Sequence, residues 1–325
     1  MKNKILPLLA AVALLMATTA CGSNDSNAAA NDGPTTIKIG SFPGTIFTYP
    51  LAVAQKKGFF SDEDLKATIV NGKSGPEILS GMIGGSTDIV FGQPGAIVPA
   101  SEQGQALKVL GPYSRGRVVI VATDKSGITK LDQLPGRKFA VPQRGDSNEQ
   151  RTLTVLNEYG IDGSKVTFIG TGTPATTAAS LANGQADASV LGLTTYETLL
   201  GQGVKLHILA DSAQGTMGER GKNEVTGVFA TTQKFFDHDN QAVEKFCRAM
   251  QKTITWIADD ANANEATTIL SEWTGLPAEA AGRVYESERD TWSMKLDESV
   301  WDANVGYVGK DIDPKYDEMV VNGCK

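Results

Sequence analysis

The chain has 325 residues, of which 41% are hydrophobic and 21% charged, with 30 Lys and Arg against 37 Asp and Glu for a formal net charge of −7. An acidic chain with no basic run is excluded as a binder that works by neutralising nucleic-acid phosphates, whereas the sign of a pocket is set locally and stays open. The length suits one large or two ordinary domains.

The first predicted element is an export signal. Lys2 and Lys4 start the chain, Ile5 to Thr19 is an uncharged, mostly apolar run, and small residues lead to Cys21. That run is short of the ~20 residues a spanning helix needs, and the order positive, apolar, small is that of a secretory signal. Residues 1–20 are expected to be that signal, and 21–34, CGSNDSNAAANDGP, a flexible tether. Losing Lys2 and Lys4 with no acid leaves 28 basic against 37 acidic side chains, or −9.

From Thr35 to Phe42 the pattern is a strand, and from Tyr49 to Lys57 a helix that stops at Gly58. LKATIVNG, DIVFG, ALKVLGPYS and RVVIVATD follow as strands, with PEILSGMIG and AIVPASEQG as helices. Alternation restarts after Thr129: KLDQL helix, KFAVP strand, a helix from about Ser147 to Tyr159, then VTFIGT, PATTAASLANG, ASVLG, TYETLLGQG and VKLHILA. Strands alternating with short helices predict α/β layers around largely parallel sheets. SAQGTMGERGKNE is expected as a polar loop crossing back to a last strand, TGVFATT. Beyond Asp239 the pattern is helical, with Trp256, Trp273, Trp292 and Trp301 at packing positions. Cys247 lies on an apolar helix face with Val243, Phe246, Met250, Ile254 and Ile257, as a buried thiol or as one half of a disulfide with Cys324.

One construction occurs twice. Met82 to Asp88 (MIGGSTD) and Leu181 to Asp187 (LANGQAD) each end a helix at a glycine and enter an apolar strand through an aspartate. Gly85 and Gly184 suit a left-handed helix end, and Asp88 and Asp187 suit carboxylates that accept backbone N–H groups at the turn. Two similar lobes account for the recurrence. Ligands of open α/β sheets gather at the other strand ends, where Gly92-Gln93-Pro94 and Gly192-Leu193-Thr194 each lead into a helix.

With IGSFPGTIFTYPLAVAQKKGFF, NGKSGPEILSGMIGGSTDIVFGQPG, LPGRKFAVPQRGDSNEQ and GTPATTAASLANGQADASVLGLTTYE, the chain resembles the solute-binding proteins of ABC importers. Within them it is similar to the group that binds nitrate, aliphatic sulfonates, taurine and thiamine pyrimidine. Cys21 followed by Gly22-Ser23 resembles a bacterial lipobox, with Thr18 where that family has Leu; it implies a lipid on Cys21 and attachment to a Gram-positive surface or within a Gram-negative periplasm. The resemblance implies a two-lobed type II binding-protein fold, 35–120 with 226–325 forming one lobe and 121–225 the other, and a helical C-terminal segment. It implies a monomer that delivers a small solute to permease and ATPase subunits, with no cofactor. The candidate contacts carried over are Ser41, Phe42, Thr45 and Tyr49 in the first loop, Ser74 and Gly75, and Gln93. In the other lobe they are Gly145, Ser147, Thr173, Gly192 and Thr194. Turn and cap roles compete with binding at several of these positions, Ser147 as an N-cap above all.

Arg115, Arg117 and Arg144 flank the expected cleft, and a guanidinium fork matches carboxylate or sulfonate oxygens. Each is either a ligand group or a surface arginine, and Asp146 stands where it could neutralise Arg144. Phe42, Phe47 and Tyr49 offer apolar walls. The solute expected is therefore a small organic anion. The alternatives are a ligand-sensing lipoprotein that reports to a membrane receptor, or an enzyme like thiamine-pyrimidine synthase. Against the latter, His207 and His238 are the only histidines, neither beside a nucleophile motif, and no G-x-x-x-x-G-K-[ST] loop or metal-ligand spacing occurs.

Overall fold

The computed structural model describes residues 33–309, 312 and 314–323. The signal 1–20, Cys21, the tether as far as residue 32 and Cys324 lie outside the described residues, so the lipid site and the Cys324 half of the possible disulfide do too. Cys247 is buried in the core.

The strands are β1 (Thr35–Ser41), β2 (Leu65–Asn71), β3 (Ile89–Gly92), β4 (Leu107–Ser114), β5 (Val118–Thr123), β6 (Lys138–Val141), β7 (Thr167–Gly170), β8 (Ala188–Gly192), β9 (Leu206–Asp211), β10 (Gly227–Thr232), β11 (Trp292–Ser293) and β12 (Val320–Val321). The helices are α1 (Tyr49–Lys57), α2 (Gly75–Ile83), α3 (Pro94–Glu102), α4 (Ser147–Glu158), α5 (Pro174–Ala182), α6 (Leu193–Gly201), α7 (Gly218–Asn223), α8 (Gln233–His238), α9 (Asn240–Ala258), α10 (Ala263–Thr274), α11 (Ala278–Glu288), α12 (Glu298–Val308) and α13 (Tyr316–Met319). KLDQL forms only a 3₁₀ turn, Leu131–Gln133. Among the described residues, no helix is long and apolar enough to cross a membrane.

Two sheets result. The first runs β11-β4-β10-β3-β1-β2 with β12 beside β4, and the second runs β7-β6-β8-β5-β9. Both faces of each are covered, so the strands read as continuous apolar runs whose residues nevertheless alternate between cores. Phe91, Leu110 and Phe229 face one core while Val90, Val109 and Val228 face the other. In β5, Val118, Ile120 and Ala122 alternate in the same way with Val119 and Val121.

The strands of each sheet run largely one way, as expected, apart from β10 and the short β11 in the first and β5 in the second. In the first, β10 runs antiparallel to β3 and β4, and in the second β5 runs antiparallel to β8 and β9. Each is the first strand after a crossing between sheets. Strands inside βαβ units end where the sheets face each other, whereas a strand arriving from the other sheet begins there; accordingly Val118 opposes Gly192 and Val228 opposes Gly92. The crossings are residues 115–117 and 212–226. A lobe boundary at 120 would cut β5, which belongs whole to the second sheet, so the change falls before Val118.

The second crossing was expected to be a plain loop, yet it contains α7. Glu158 holds the start of that helix by accepting the Glu219 and Arg220 N–H groups at 2.8 and 3.3 Å, and Met217 and Arg220 are buried beneath it.

The repeated turns are alike in detail. Asp88 accepts the Lys38 N–H at 2.7 Å and Asp187 the Lys138 N–H at 2.9 Å, while each aspartate's own N–H bonds back to that lysine's carbonyl at 2.9 Å. Gly85 and Gly184 have φ of 78° and 69°, the left-handed conformation that this helix exit needs.

Candidate functional site

Between the sheets lies a cavity of about 210 Å³. The starts of α2, α3, α4, α5 and α6 border it, through Ser74 and Gly75, Gln93 and Gly95, Asp146 to Asn148, Pro174 and Thr177, and Gly192 and Thr194. Helix starts carry partial positive charge and N–H groups with no partner in the helix, so this edge of the cavity favours an anion. Ser74 caps α2 through the Glu77 N–H at 3.3 Å, and Asp146 caps α4 through the Asn148 and Glu149 N–H groups at 2.9 and 3.1 Å. α3 and α6 have no side-chain cap; in α3, Pro94 has no N–H and the Ala96 N–H bonds to the Gln93 carbonyl at 2.9 Å, so the first-turn amide left there for solvent or a ligand is that of Gly95.

Three rings form the apolar wall: Phe42, Phe47 and Phe91. Phe42 meets Phe91 edge-on, with centroids 6.3 Å apart. Phe47 reaches the second sheet, where a Cβ on Gly192 would stand 2.8 Å from its ring, and it presses Gly116 in the first crossing as closely. Only glycine admits the ring at these two places. The Ile46 N–H donates to Thr194 Oγ1 at 3.0 Å beside it.

The charged side chains that line the cavity are Asp146 and Arg151. Arg151 is 1% exposed. Its Nε donates to Glu224 Oε2 at 2.6 Å and its Nη1 to Asn148 Oδ1 at 2.6 Å. Glu224 also accepts from Arg220 Nε and Nη2 at 3.1 and 2.9 Å, so two buried guanidiniums share one carboxylate. Burial alone would raise the Glu224 pKa, but Arg151 and Arg220 hold it below the usual range. Burial pushes the Arg220 pKa down, and Arg151 adds to that against the pull of Glu224. Burial also pushes the Asp146 carboxyl up, opposed by the N–H groups it caps.

Of the residues singled out by sequence, Phe42, Thr45, Ser74, Gly75, Gln93, Gly145, Ser147, Gly192 and Thr194 line the cavity, and Ser41, Tyr49, Thr173, Arg115, Arg117 and Arg144 do not. Ser41 is buried at the end of β1, and Tyr49 is buried with its hydroxyl on the Ala266 carbonyl at 2.7 Å. Thr173 caps α5 through the Thr176 N–H at 3.1 Å, whereas Ser147, expected as an N-cap, is the first residue of α4 and Asp146 is its cap. The three arginines are engaged elsewhere. Arg144 forks onto Glu149 at 2.8 and 3.0 Å at the surface, not onto Asp146. Arg117 pairs with Asp211, Nε to Oδ1 at 3.0 Å, and Arg115 donates to the Lys222 carbonyl. The arginine at the cavity is Arg151, which sequence reasoning missed. Helical spacing could have found it, since Ser147 and Arg151 share a face of α4 at i and i+4.

A family model described as NMT1/THI5 like matches residues 47–263, more than half of the chain. YtlA of Bacillus subtilis (strain 168), which carries a provisional designation as a binding protein, is 25% identical over 248 residues, 73% of this chain and 70% of that protein. The alkanesulfonate-binding protein SsuA of Xanthomonas axonopodis pv. citri, solved bound to MOPS, superposes with a TM-score of 0.72 at 20% identity over 86% of this chain and 96% of that one. The periplasmic nitrate-binding protein NrtA of Synechocystis PCC 6803 gives 0.62 at 17% identity, over 76% and 69%. These structural likenesses show a common fold, that of the periplasmic binding proteins.

Proposed function

Since the chain belongs to the NMT1/THI5-like family, whose fold here is that of ABC-type solute-binding proteins, we propose that it captures a small organic anion outside the cytoplasm and hands it to an importer. The observation that carries this is the make-up of one cavity: helix starts and the buried Arg151 on one side, and Phe42, Phe47 and Phe91 on the other. A sulfonate or carboxylate head meets the amides of α3 and α6 and the Arg151 side, while a short apolar tail lies on the rings. The contacts proposed are Thr45, Ser74, Gln93, Ser147 and Thr194 together with Arg151 and the three rings. Solved relatives whose names state sulfonate or nitrate binding support an anion. Cys21 is proposed to hold the lipid; labelled palmitate should enter the chain and be lost in Cys21→Ala.

The test is a thermal-shift series on the body that follows Cys21, with alkyl and aryl sulfonates and carboxylates and with neutral alcohols or amides of the same tails. A ligand at a hundred times its Kd adds about 2.7 kcal/mol of stability. A saturable rise with an anion and none with its neutral analogue supports the reading, and equal rises with both overturn it.

A further inference from the structure

We propose a second anion site, between the two crossings, that takes a small oxyanion and fixes the angle at which the crossings bend. A cavity of about 240 Å³ lies there, bordered by Arg115 to Val118 of the first crossing and its strand, by Ser212, Lys222 and Glu224 of the second, and by Ser287 and Thr291 at the end of α11. It is separate from the first cavity, and Val118 contributes to both walls.

Its cations are unequally engaged. Arg117 is held by the buried Asp211. Lys222 pairs with Glu219 at 2.6 Å, but both side chains are mostly exposed, and such a pair is worth little and exchanges readily. Arg115 donates to the Lys222 carbonyl and, among the described residues, makes no ion pair with a carboxylate. The one lining carboxylate, Glu224, is already shared by Arg151 and Arg220. Hydroxyls complete the set: Ser212 Oγ accepts the Val118 N–H at 3.0 Å, which leaves its own O–H to donate. Guanidinium, ammonium and hydroxyl donors around a space of this size suit an oxyanion such as phosphate or sulfate. Because the donors come from both crossings, an anion held by Arg115, Lys222 and Ser212 ties the two strands of chain that join the sheets. Occupancy would therefore be coupled to whatever the first cavity binds, and reciprocally.

The experiment is calorimetric titration of the intact soluble chain with inorganic phosphate at constant ionic strength, alongside amide exchange over 112–118 and 212–226. The wild type should bind saturably and slow exchange in both segments. Arg115→Gln should weaken binding at least tenfold, Arg115→Lys should keep part of it and so report that loss of the fold is not the cause, and Gly75→Phe, which crowds the first cavity, should leave it unchanged. No saturable binding, binding that survives Arg115→Gln but is lost in Gly75→Phe, or binding without slower exchange at the crossings overturns the proposal.

Discussion

The two halves of the molecule share a construction and differ in what they aim at the cavity between them. Asp88 and Asp187 make the same pair of bonds to a lysine on the neighbouring strand, after glycines of the same hand. Yet the rings of the cavity, Phe42, Phe47 and Phe91, all come from the first half, and its charged side chains come from the second, Asp146 as the cap of α4 and Arg151 from within it. The scaffold is set by turns that tolerate no alternative geometry, while the site is set by loops that begin from that scaffold and are free to diverge. In the function proposed above, the second half brings Arg151 to the head of the anion and the first half brings the rings to its tail, with the start of α3 also at the head.

The sharpest way to break this division is Arg151→Gln. It should lower affinity for an anionic ligand a hundredfold or more in calorimetry, and the loss of one guanidinium from a buried carboxylate should cost about 3–5 kcal/mol in denaturant unfolding. A ligand bound as tightly by the variant would move the charge recognition to the first half. Next in size is a pH effect where the halves join. Glu288, fully buried on the first-half side, accepts the Arg117 N–H at 3.0 Å, and burial pushes its pKa to about 8 against that bond. The folded chain then holds a proton that the unfolded chain has released, so the stability this group contributes is complete below about pH 4.5 and is lost as pH rises through about 8. Thermal unfolding from pH 5 to 9 should show the wild type falling relative to Glu288→Gln by up to about 1.4 kcal/mol per pH unit; parallel profiles would refute it.

Phe47→Ala sharpens the comparison from the other side. It should cost about 2 kcal/mol of stability and weaken ligands in proportion to the length of their tail, with little effect on a tailless anion. Smallest of all, Asp88→Ala and Asp187→Ala should each cost about 1–2 kcal/mol and match one another; a clear inequality would show that the halves are not equivalent even in their scaffold.

Much of this was legible. The G-x-x-D turns, the strand-helix alternation and the loops at Ser74, Gln93, Gly145 and Gly192 follow from local chemistry, since a glycine that must be left-handed or a helix that must begin leaves its mark within a few residues. The arginines were not legible, because what decides an arginine is which carboxylate reaches it. Arg144 is taken by Glu149 five residues on, across the turn into α4, whereas Arg117 depends on Asp211 at the end of β9 and Arg151 on Glu224 in the second crossing. The antiparallel strands β5 and β10 were missed for the same reason: direction depends on which sheet a strand arrives from, and no pattern within the strand records it.

The two crossings lie side by side. The Thr226 N–H bonds to the Ser114 carbonyl at 2.8 Å, and the Ser212 N–H bonds to the Val118 carbonyl at 3.1 Å. Chain 118–211 thus enters and leaves the second sheet through adjacent doors, which in genetic terms makes it a cassette. Exchanging that single reading-frame segment between relatives would transplant Arg151 and the starts of α4, α5 and α6 onto a foreign set of rings, with Glu224 supplied by the recipient's second crossing, and a two-point graft of this kind joins parts of two cavities into a new one.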